Sequence, residues 1–421
     1  MALPKSEIKH RMTRRLNGWD YCQRAIYMIT VTLADRRREW LGRLILANNG
    51  EAQYLATDSA SRNNGDGASH QACEAQHHAT DGASHNNDTV AAHSCAAKAK
   101  IKPTAFGIAA LEALAEMPRL YPQVEIIESQ LMPEHMHFVI FVREPLNKPL
   151  SALIRGFKAG ATRRWRSAVA AHSCAAIPAW AEGFNDAILF RDGQLRAMID
   201  YVRDNPRRLA EKRANPTLFS RVVQLELPLD GGRITGRFEA LGNRHLLSRP
   251  LVQVQCSRRH FAYRRIAKPG GGFKIAKDAS GEPIIERISR EYEERLESAL
   301  AAAEHGAVVL SPCISDGEKQ IAREALKRKI PLVALRNMGF SKCEKPTGRH
   351  FEACAQGRLL LLAPEAWPYS TEAKAMTRFD ATALNRIAQW LAGEDAAEIN
   401  YHGMKPCNID KLAEEAVAAQ H

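Results

Sequence analysis

His135 and His137 are separated by one residue at the head of the apolar run His135-Met136-His137-Phe138-Val139-Ile140. On a strand, two imidazoles so spaced project to the same side, about 7 Å apart at Cα level. Such a pair is a two-point ligand for one metal ion. Further on, Tyr201-Val202-Arg203-Asp204-Asn205-Pro206 offers a phenol and a carboxamide four residues apart, which a helix would put on one face. A phosphodiester is a poor electrophile because its negative oxygens repel an attacking oxygen, and a bound divalent cation relieves that repulsion as a Lewis acid. Phenols titrate near ~10, so a tyrosine nucleophile needs activation by its site. Taken singly the groups say little: a strand His-x-His is most often surface or packed histidine, and a lone helical tyrosine is most often core.

The elements that must position these groups are legible around them. Ala25 to Ala34 is rich in β-branched and aromatic residues and reads as a first strand, with Gly42 to Ala47 a second. Helical spacing of Phe106, Ile108, Leu111 and Leu114 predicts a helix from Pro103 to Met117. Val124 to Leu131 and His135 to Val142 read as adjacent strands joined at Met132-Pro133-Glu134. Leu150 to Arg166 is predicted helical on the stripe Leu153, Ile154, Phe157, Ala161 and Trp165. Gln194 to Asn205 is a second helix, ended by Pro206. Met198, Ile199 and Val202 would form its buried stripe and leave Tyr201 near the edge. This order of elements is that of an α+β domain: a split βαβ, ferredoxin-like antiparallel sheet with helices on one face.

Two stretches interrupt the pattern. Residues 48–100 are dominated by Asn, Asp, Gly, Ser, His and Ala, with Asp-Gly-Ala-Ser-His at both 66–70 and 81–85. The segment Ala-Ala-His-Ser-Cys-Ala-Ala at 91–97 returns at 170–176, inside a second insert at 168–180. Such composition buries too little apolar area to offset chain ordering and reads as inserted low-complexity sequence. His70, His77, His78, His85 and His93 are irregularly spaced within it and read as incidental.

The chain has 421 residues, which favours two domains, and 59 Lys and Arg against 47 Asp and Glu, a net charge of +12. That balance suits a polyanionic partner, nucleic acid before others. No run of about 18 apolar residues occurs and the basic N-terminus is not followed by an apolar segment, so neither a membrane span nor a secretory signal is expected, and the cytoplasm is the expected location. Nine cysteines without a Cys-x-x-Cys pair argue against a disulfide framework and a zinc ribbon.

The combination of Met132 to His137, the basic helix from Ser151 to Arg166, Gly183-Phe184-Asn185-Asp186 and Tyr201 to Pro206 resembles the single-tyrosine HUH transposases, in particular their REP-associated tyrosine transposase branch. The resemblance spans roughly residues 20–215. Where that family typically has Asn before the first His, this chain has Glu134. The resemblance implies a metal-dependent endonuclease and strand transferase acting on single-stranded or hairpin DNA. Tyr201 would form a covalent 5′-phosphotyrosine, His135 and His137 would bind Mg²⁺ or Mn²⁺, and Asn205 would be the third ligand unless it instead caps the helix before Pro206. Relatives act as dimers, so a homodimer is implied. A DNA-binding protein that grips without cutting is the alternative.

Arg155, Lys158, Arg163, Arg164 and Arg166 on the helix after the histidine strand, and Arg203 beside the tyrosine, are candidate phosphate contacts; such cations position a strand without reading its sequence. Residues 1–220 are thus expected to form the DNA-nicking domain. A basic connector would occupy 221–290, a smaller α/β domain of Rossmann type 291–400, and a tail 401–421. In the third segment, helices from Ile288 to Glu304 and from Gly317 to Lys329 alternate with strands at Ala307 to Ser311, Leu332 to Leu335 and Leu359 to Leu362. Gly306 to Pro364 weakly resembles the Rossmann-like domains of the DNA-processing and lysine-decarboxylase-like group. Ser315 and Gly317, at a strand-to-helix turn, are its candidate phosphate contacts, or Ser315 simply caps the helix.

Overall fold

The computed structural model describes residues 16, 18–47, 52–54, 99–169, 179–191, 193–253, 256, 259–268, 271–279, 281–342, 344–371 and 376–393. Nearly all of the insert read at 48–100 with its five histidines, most of that at 168–180 and the tail at 401–421 lie outside these residues. The chain divides into two compact units, Met1–Ala214 and Asn215–His421, each of mixed α and β structure.

The first unit is built on a four-stranded antiparallel sheet of order β5-β6-β1-β7, comprising β1 (Ala25–Thr32), β5 (Val124–Leu131), β6 (His135–Val142) and β7 (Asn185–Leu189). A second sheet of order β3-β2-β4 is formed by β2 (Gly42–Ala47), β3 (Ala52–Tyr54) and β4 (Ala99–Pro103). Thus both ends of the expected 48–100 insert take part in strand pairing. On one face of the main sheet, Tyr27, Ile29 and Val31 of β1 and Met136, Phe138, Ile140 and Val142 of β6 are buried. They pack against helices α1 (Ala105–Ala115) and α3 (Leu150–Val169), with the short α2 (Met117–Leu120) following α1. Helix α1 starts where Thr104 accepts from the Gly107 amide at 3.1 Å, a cap worth about 1 kcal/mol. A Cβ on Gly107 would lie 1.8 Å from the Leu41 carbonyl oxygen, so only glycine lets this helix approach so closely.

The helix that carries Tyr201, α4 (Gln194–Ala214), packs on the other face of the sheet and runs straight through Pro206. Two expectations are corrected here. Helices cover both sheet faces, and Pro206 does not end the helix. Proline removes the amide that would have bonded the Val202 carbonyl, and the Asn205 side-chain amide instead reaches that oxygen at 3.4 Å and the Tyr201 carbonyl at 2.9 Å. Beyond the proline, Ala210 and Leu209 pack with Leu44, Leu46 and Ile101 of the small sheet, and that burial holds the continuation in place.

After the short α5 (Pro216–Phe219), the second unit has a six-stranded sheet of order β10-β15-β16-β17-β9-β8. The strands β10 (Leu251–Gln253), β15 (Val308–Ser311), β16 (Leu332–Leu335) and β17 (Leu359–Pro364) are parallel, and β9 (Ile234–Gly242) and β8 (Arg221–Leu229) join antiparallel. The stretch expected to be a connector therefore supplies three of the six strands. Its hairpin turns at Asp230-Gly231-Gly232, all with positive φ, and inward residues such as Leu229, Phe238 and Ala240 are interleaved with charges that hid the pattern. Both faces are buried, as a parallel sheet requires. Helices α6 (Arg290–Glu304), α7 (Asp316–Lys327) and α8 (Gly348–Ala355) lie on one face, and α9 (Arg378–Ala392) on the other. Four short strands, β11 (Phe261–Tyr263), β12 (Arg265–Ala267), β13 (Phe273–Ile275) and β14 (Ile285–Ile288), pair as β11 with β14 and β12 with β13. Among the described residues no helix is long and apolar enough to cross a membrane.

Candidate active site

Strand alternation sorts β6 into two sets. Met136, Phe138, Ile140 and Val142 enter the core under α1 and α3, which leaves His135 and His137 on the face covered by α4. Register sets Thr32 of β1 opposite His135 and Thr30 opposite His137, and Asn185 of β7 opposite Thr30. The two imidazole Nε2 atoms meet at 3.0 Å. On the far sides of the rings, His135 Nδ1 lies 3.0 Å from a Glu134 carboxylate oxygen and His137 Nδ1 lies 2.8 Å from Thr30 Oγ1.

These contacts constrain the protons. With no cation present, every nitrogen is satisfied if Thr30 donates to His137 Nδ1, His137 Nε2–H donates to His135 Nε2, and His135 Nδ1–H donates to Glu134. If instead both rings carry their proton on Nδ1, donated to Thr30 and Glu134, two bare Nε2 lone pairs face each other. That arrangement calls for a cation between them. Burial, then the neighbouring His135, lowers the His137 pKa to about 3 against a partial offset from Glu134, so the ring stays neutral as a metal ligand must. Burial pushes the Glu134 carboxyl up, but the hydrogen bond and charge of His135, with a smaller contribution from Arg213, hold it below its ordinary value.

Tyr201 lies beside His137. Its ring centroid is 6.0 Å from that of His137, and it is 38% exposed. The Arg208 guanidinium lies 5.5 Å from the centre of the tyrosine ring, within cation–π range. Asn205 shares the helix face but spends its amide on the helix carbonyls described above. The two converging Nε2 donors therefore fit a divalent cation at two points, while the Asn205 amide is engaged within its own helix. Two imidazoles suit Mn²⁺ better than Mg²⁺, which prefers oxygen. Among the described residues no group of three or more His, Cys, Asp and Glu side chains is arranged to hold a metal.

The six candidate phosphate contacts do not act alike. Lys158 donates to the carbonyls of Ala181, at 2.8 Å, and Gly183. Arg164 pairs with Glu116, and Arg203 with Glu128 on β5. Arg155, Arg163 and Arg166 are exposed. Arg163 and Arg166 line an open groove of about 650 Å³ with Lys158, Thr162, Ser167 and Trp180. Helix α3 packs through Phe157 on Phe138, so these cations lie on the sheet face opposite the histidines. Sequence reading passed over Thr30, although its signal was present: Thr30 and Thr32 alternate with the apolar Ile29 and Val31.

In the second unit, the turn proposed for phosphate is filled from within. The Glu318 carboxylate accepts from the Ile314 and Ser315 amides, both at 2.9 Å, and Ser315 Oγ accepts from the Glu318 amide at 3.2 Å. This capping box occupies the helix N-terminus with the chain's own anion. A Cβ on Gly317 would fall 2.1 Å from Cys256 Sγ, and the Gly317 carbonyl accepts from the Tyr292 hydroxyl at 2.8 Å. Ser315 thus caps the helix and Gly317 is packing, not an open anion seat.

No protein-family model matches the chain, and no curated protein matches it. Among solved structures, that of a REP-associated tyrosine transposase bound to a REP hairpin is similar over 46% of this chain and 72% of that chain, at 16% identity and a TM-score of 0.24.

Proposed function

We propose that the first unit cuts and rejoins single-stranded DNA as a single-tyrosine HUH transposase, with Tyr201 as nucleophile. The observation that carries this reading is the approach of a partly exposed phenol to two converging imidazoles, 6.0 Å between the Tyr201 and His137 ring centres. The sheet order β5-β6-β1-β7 with α1 and α3 on one face supports a ferredoxin-like HUH domain, and the four parallel strands of the second sheet support a Rossmann-like accessory domain. Mn²⁺ or Mg²⁺, held by His135 and His137 with Asn205, would polarise a non-bridging phosphate oxygen when bound.

The chain's own residues do the rest. Glu134 and Thr30 fix the two rings so that both Nε2 atoms point to one place. The Tyr201 oxygen attacks phosphorus and loses its proton to solvent. The bond from phosphorus to the 3′ oxygen breaks, and that oxygen leaves as a hydroxyl after taking up a proton. A 5′-phosphotyrosine keeps the ester for rejoining, when a second 3′ hydroxyl reverses the step. Homodimer formation belongs to the same proposal, on the resemblance alone.

A second reading, DNA binding without cleavage, draws on the Asn205 amide, which serves its own helix. Labelled single-stranded hairpin DNA incubated with the protein and Mn²⁺ separates the two. An adduct that survives SDS and is absent from Tyr201→Phe supports the transposase; binding without any adduct supports the grip.

A further inference from the structure

Between Arg258 and Lys277 the sequence holds seven Lys and Arg and no Asp or Glu. In the second unit the described part of this stretch, together with β14, forms two short antiparallel strand pairs in succession. Its base is the β11/β14 pair, and Phe261 and Tyr263 there are fully buried, with the Phe261 ring 4.9 Å from that of Tyr292 and the Tyr263 hydroxyl donating to Gln320 at 2.6 Å. Arg265 adds an ion pair to Asp316 at 3.0 Å. Beyond the base the chain continues as β12 and β13, paired Arg265 to Ile275, Ile266 to Lys274 and Ala267 to Phe273. The tip closes through Lys268 N–H to the Gly272 carbonyl at 2.9 Å, with Gly271 and Gly272 at φ of 97° and 78°, a conformation that glycine alone adopts freely.

Two three-residue strands do not hold together unaided in water, so the buried aromatic base is what keeps this tip formed. The tip itself has no core to build. Ile266 and Lys274 sit directly across from each other, and alternation adds Lys268 and Arg264 to that face. All four are exposed. Among the described residues Arg264, Lys268 and Lys274 have no ion-pair partner, unlike Arg265. On the opposite face Phe273 is 68% exposed, a side chain that folding alone gives no reason to hold in water.

We infer that the paired segments Arg264 to Lys268 and Gly271 to Lys277 are a docking arm for double-stranded DNA, their cations on the phosphate backbone. Two strands about 4.8 Å apart with their side chains make a rod that fits a major groove about 12 Å wide. The complementarity is one of charge: a face of three unneutralised cations meets a uniformly anionic duplex. This inference goes beyond the cutting reaction and does not rest on it.

The test uses the full chain carrying Tyr201→Phe, which removes the proposed nucleophile, and a labelled random-sequence duplex followed by fluorescence anisotropy across a salt series. Lys268→Glu with Lys274→Glu is expected to weaken duplex binding roughly ten- to hundred-fold near 0.1 M salt and to reduce the slope of log affinity against log salt by about two, at ~0.9 per lost phosphate contact. The neutral pair Lys268→Gln with Lys274→Gln is expected to lose the same slope with a smaller loss of affinity. Both are surface changes away from Phe261 and Tyr263, and an unchanged thermal melt checks that the unit is folded. Duplex affinity and slope equal to those of the parent overturn the inference, as does a loss confined to single strands, acidic protein or anionic vesicles. A failed adduct assay with this slope change intact would sink the transposase reading and leave the arm standing.

Discussion

The Glu134 carboxylate lies 3.0 Å from His135 Nδ1, so the ring that opens the histidine strand is held by a full negative charge. This fixes the proton on Nδ1 and turns the Nε2 lone pair toward His137. A carboxylate behind a ligating histidine raises its basicity, and losing such a partner typically costs 10–100-fold in metal affinity. Glu134→Gln is therefore expected to weaken Mn²⁺ binding by roughly that range in calorimetric titration. An unchanged affinity would show that the carboxylate contributes nothing to the ring.

Asn205 bonds the carbonyls of Tyr201 and Val202, the second of which Pro206 has deprived of its usual donor. Asn205→Ala exposes that oxygen to a partly buried environment and is expected to lower stability by about 1 kcal/mol in chemical denaturation of the metal-free protein. Pairing it with Pro206→Ala restores the helix donor and should recover most of the loss. If Asn205 acts only as a metal ligand, the metal-free stability of Asn205→Ala equals that of the parent.

Lys158 and Arg166 line one groove but do different work. Burial lowers the Lys158 pKa, and its ammonium ties the Ala181 and Gly183 carbonyls to α3. Lys158→Met is expected to cost about 1–2 kcal/mol of stability by leaving these acceptors unpaired. Arg166→Ala, at an exposed position, should leave stability within about 0.5 kcal/mol and weaken single-stranded DNA binding with a shallower salt slope. Thermal melts and anisotropy on the two variants separate the roles; equal melts would show that Lys158 is not structural.

The strand that carries both histidines and its neighbour were legible because β-branched runs and two-residue alternation depend on local sequence, and β5 and β6 fall where those patterns put them. What the sequence hid was which partner each polar side chain takes, near or far along the chain. The end of α4 looked fixed by Pro206, yet the Asn205 amide and the packing of Ala210 on Leu44 carry the helix onward. The cations of α3 and Arg203 of α4 looked like one patch until Glu116, Glu128 and two carbonyls engaged Arg164, Arg203 and Lys158. The anion seat at Ser315 was a reading of a strand-to-helix turn, but Glu318 in the first turn of α7 fills it with its own carboxylate.

His137 is 6% exposed and its pKa is lowered to about 3, from an ordinary 6.5, chiefly by burial. The folded protein therefore keeps this ring neutral at a pH where the unfolded chain protonates it, and the unfolded state binds the extra proton. Stability contributed by the neutral ring is fully present above about 6.5 and is lost as pH falls toward about 3. Between pH 7.5 and 5.5, above the carboxylate range, the loss is expected to be about 1.4 kcal/mol. Urea denaturation of the wild type in EDTA, against His137→Asn at the same two pH values, isolates the ring's share. The wild type should lose that amount over and above the variant. A variant with the same pH dependence would show that the folded His137 keeps its ordinary pKa and that burial does not hold the ring neutral at pH 5.5.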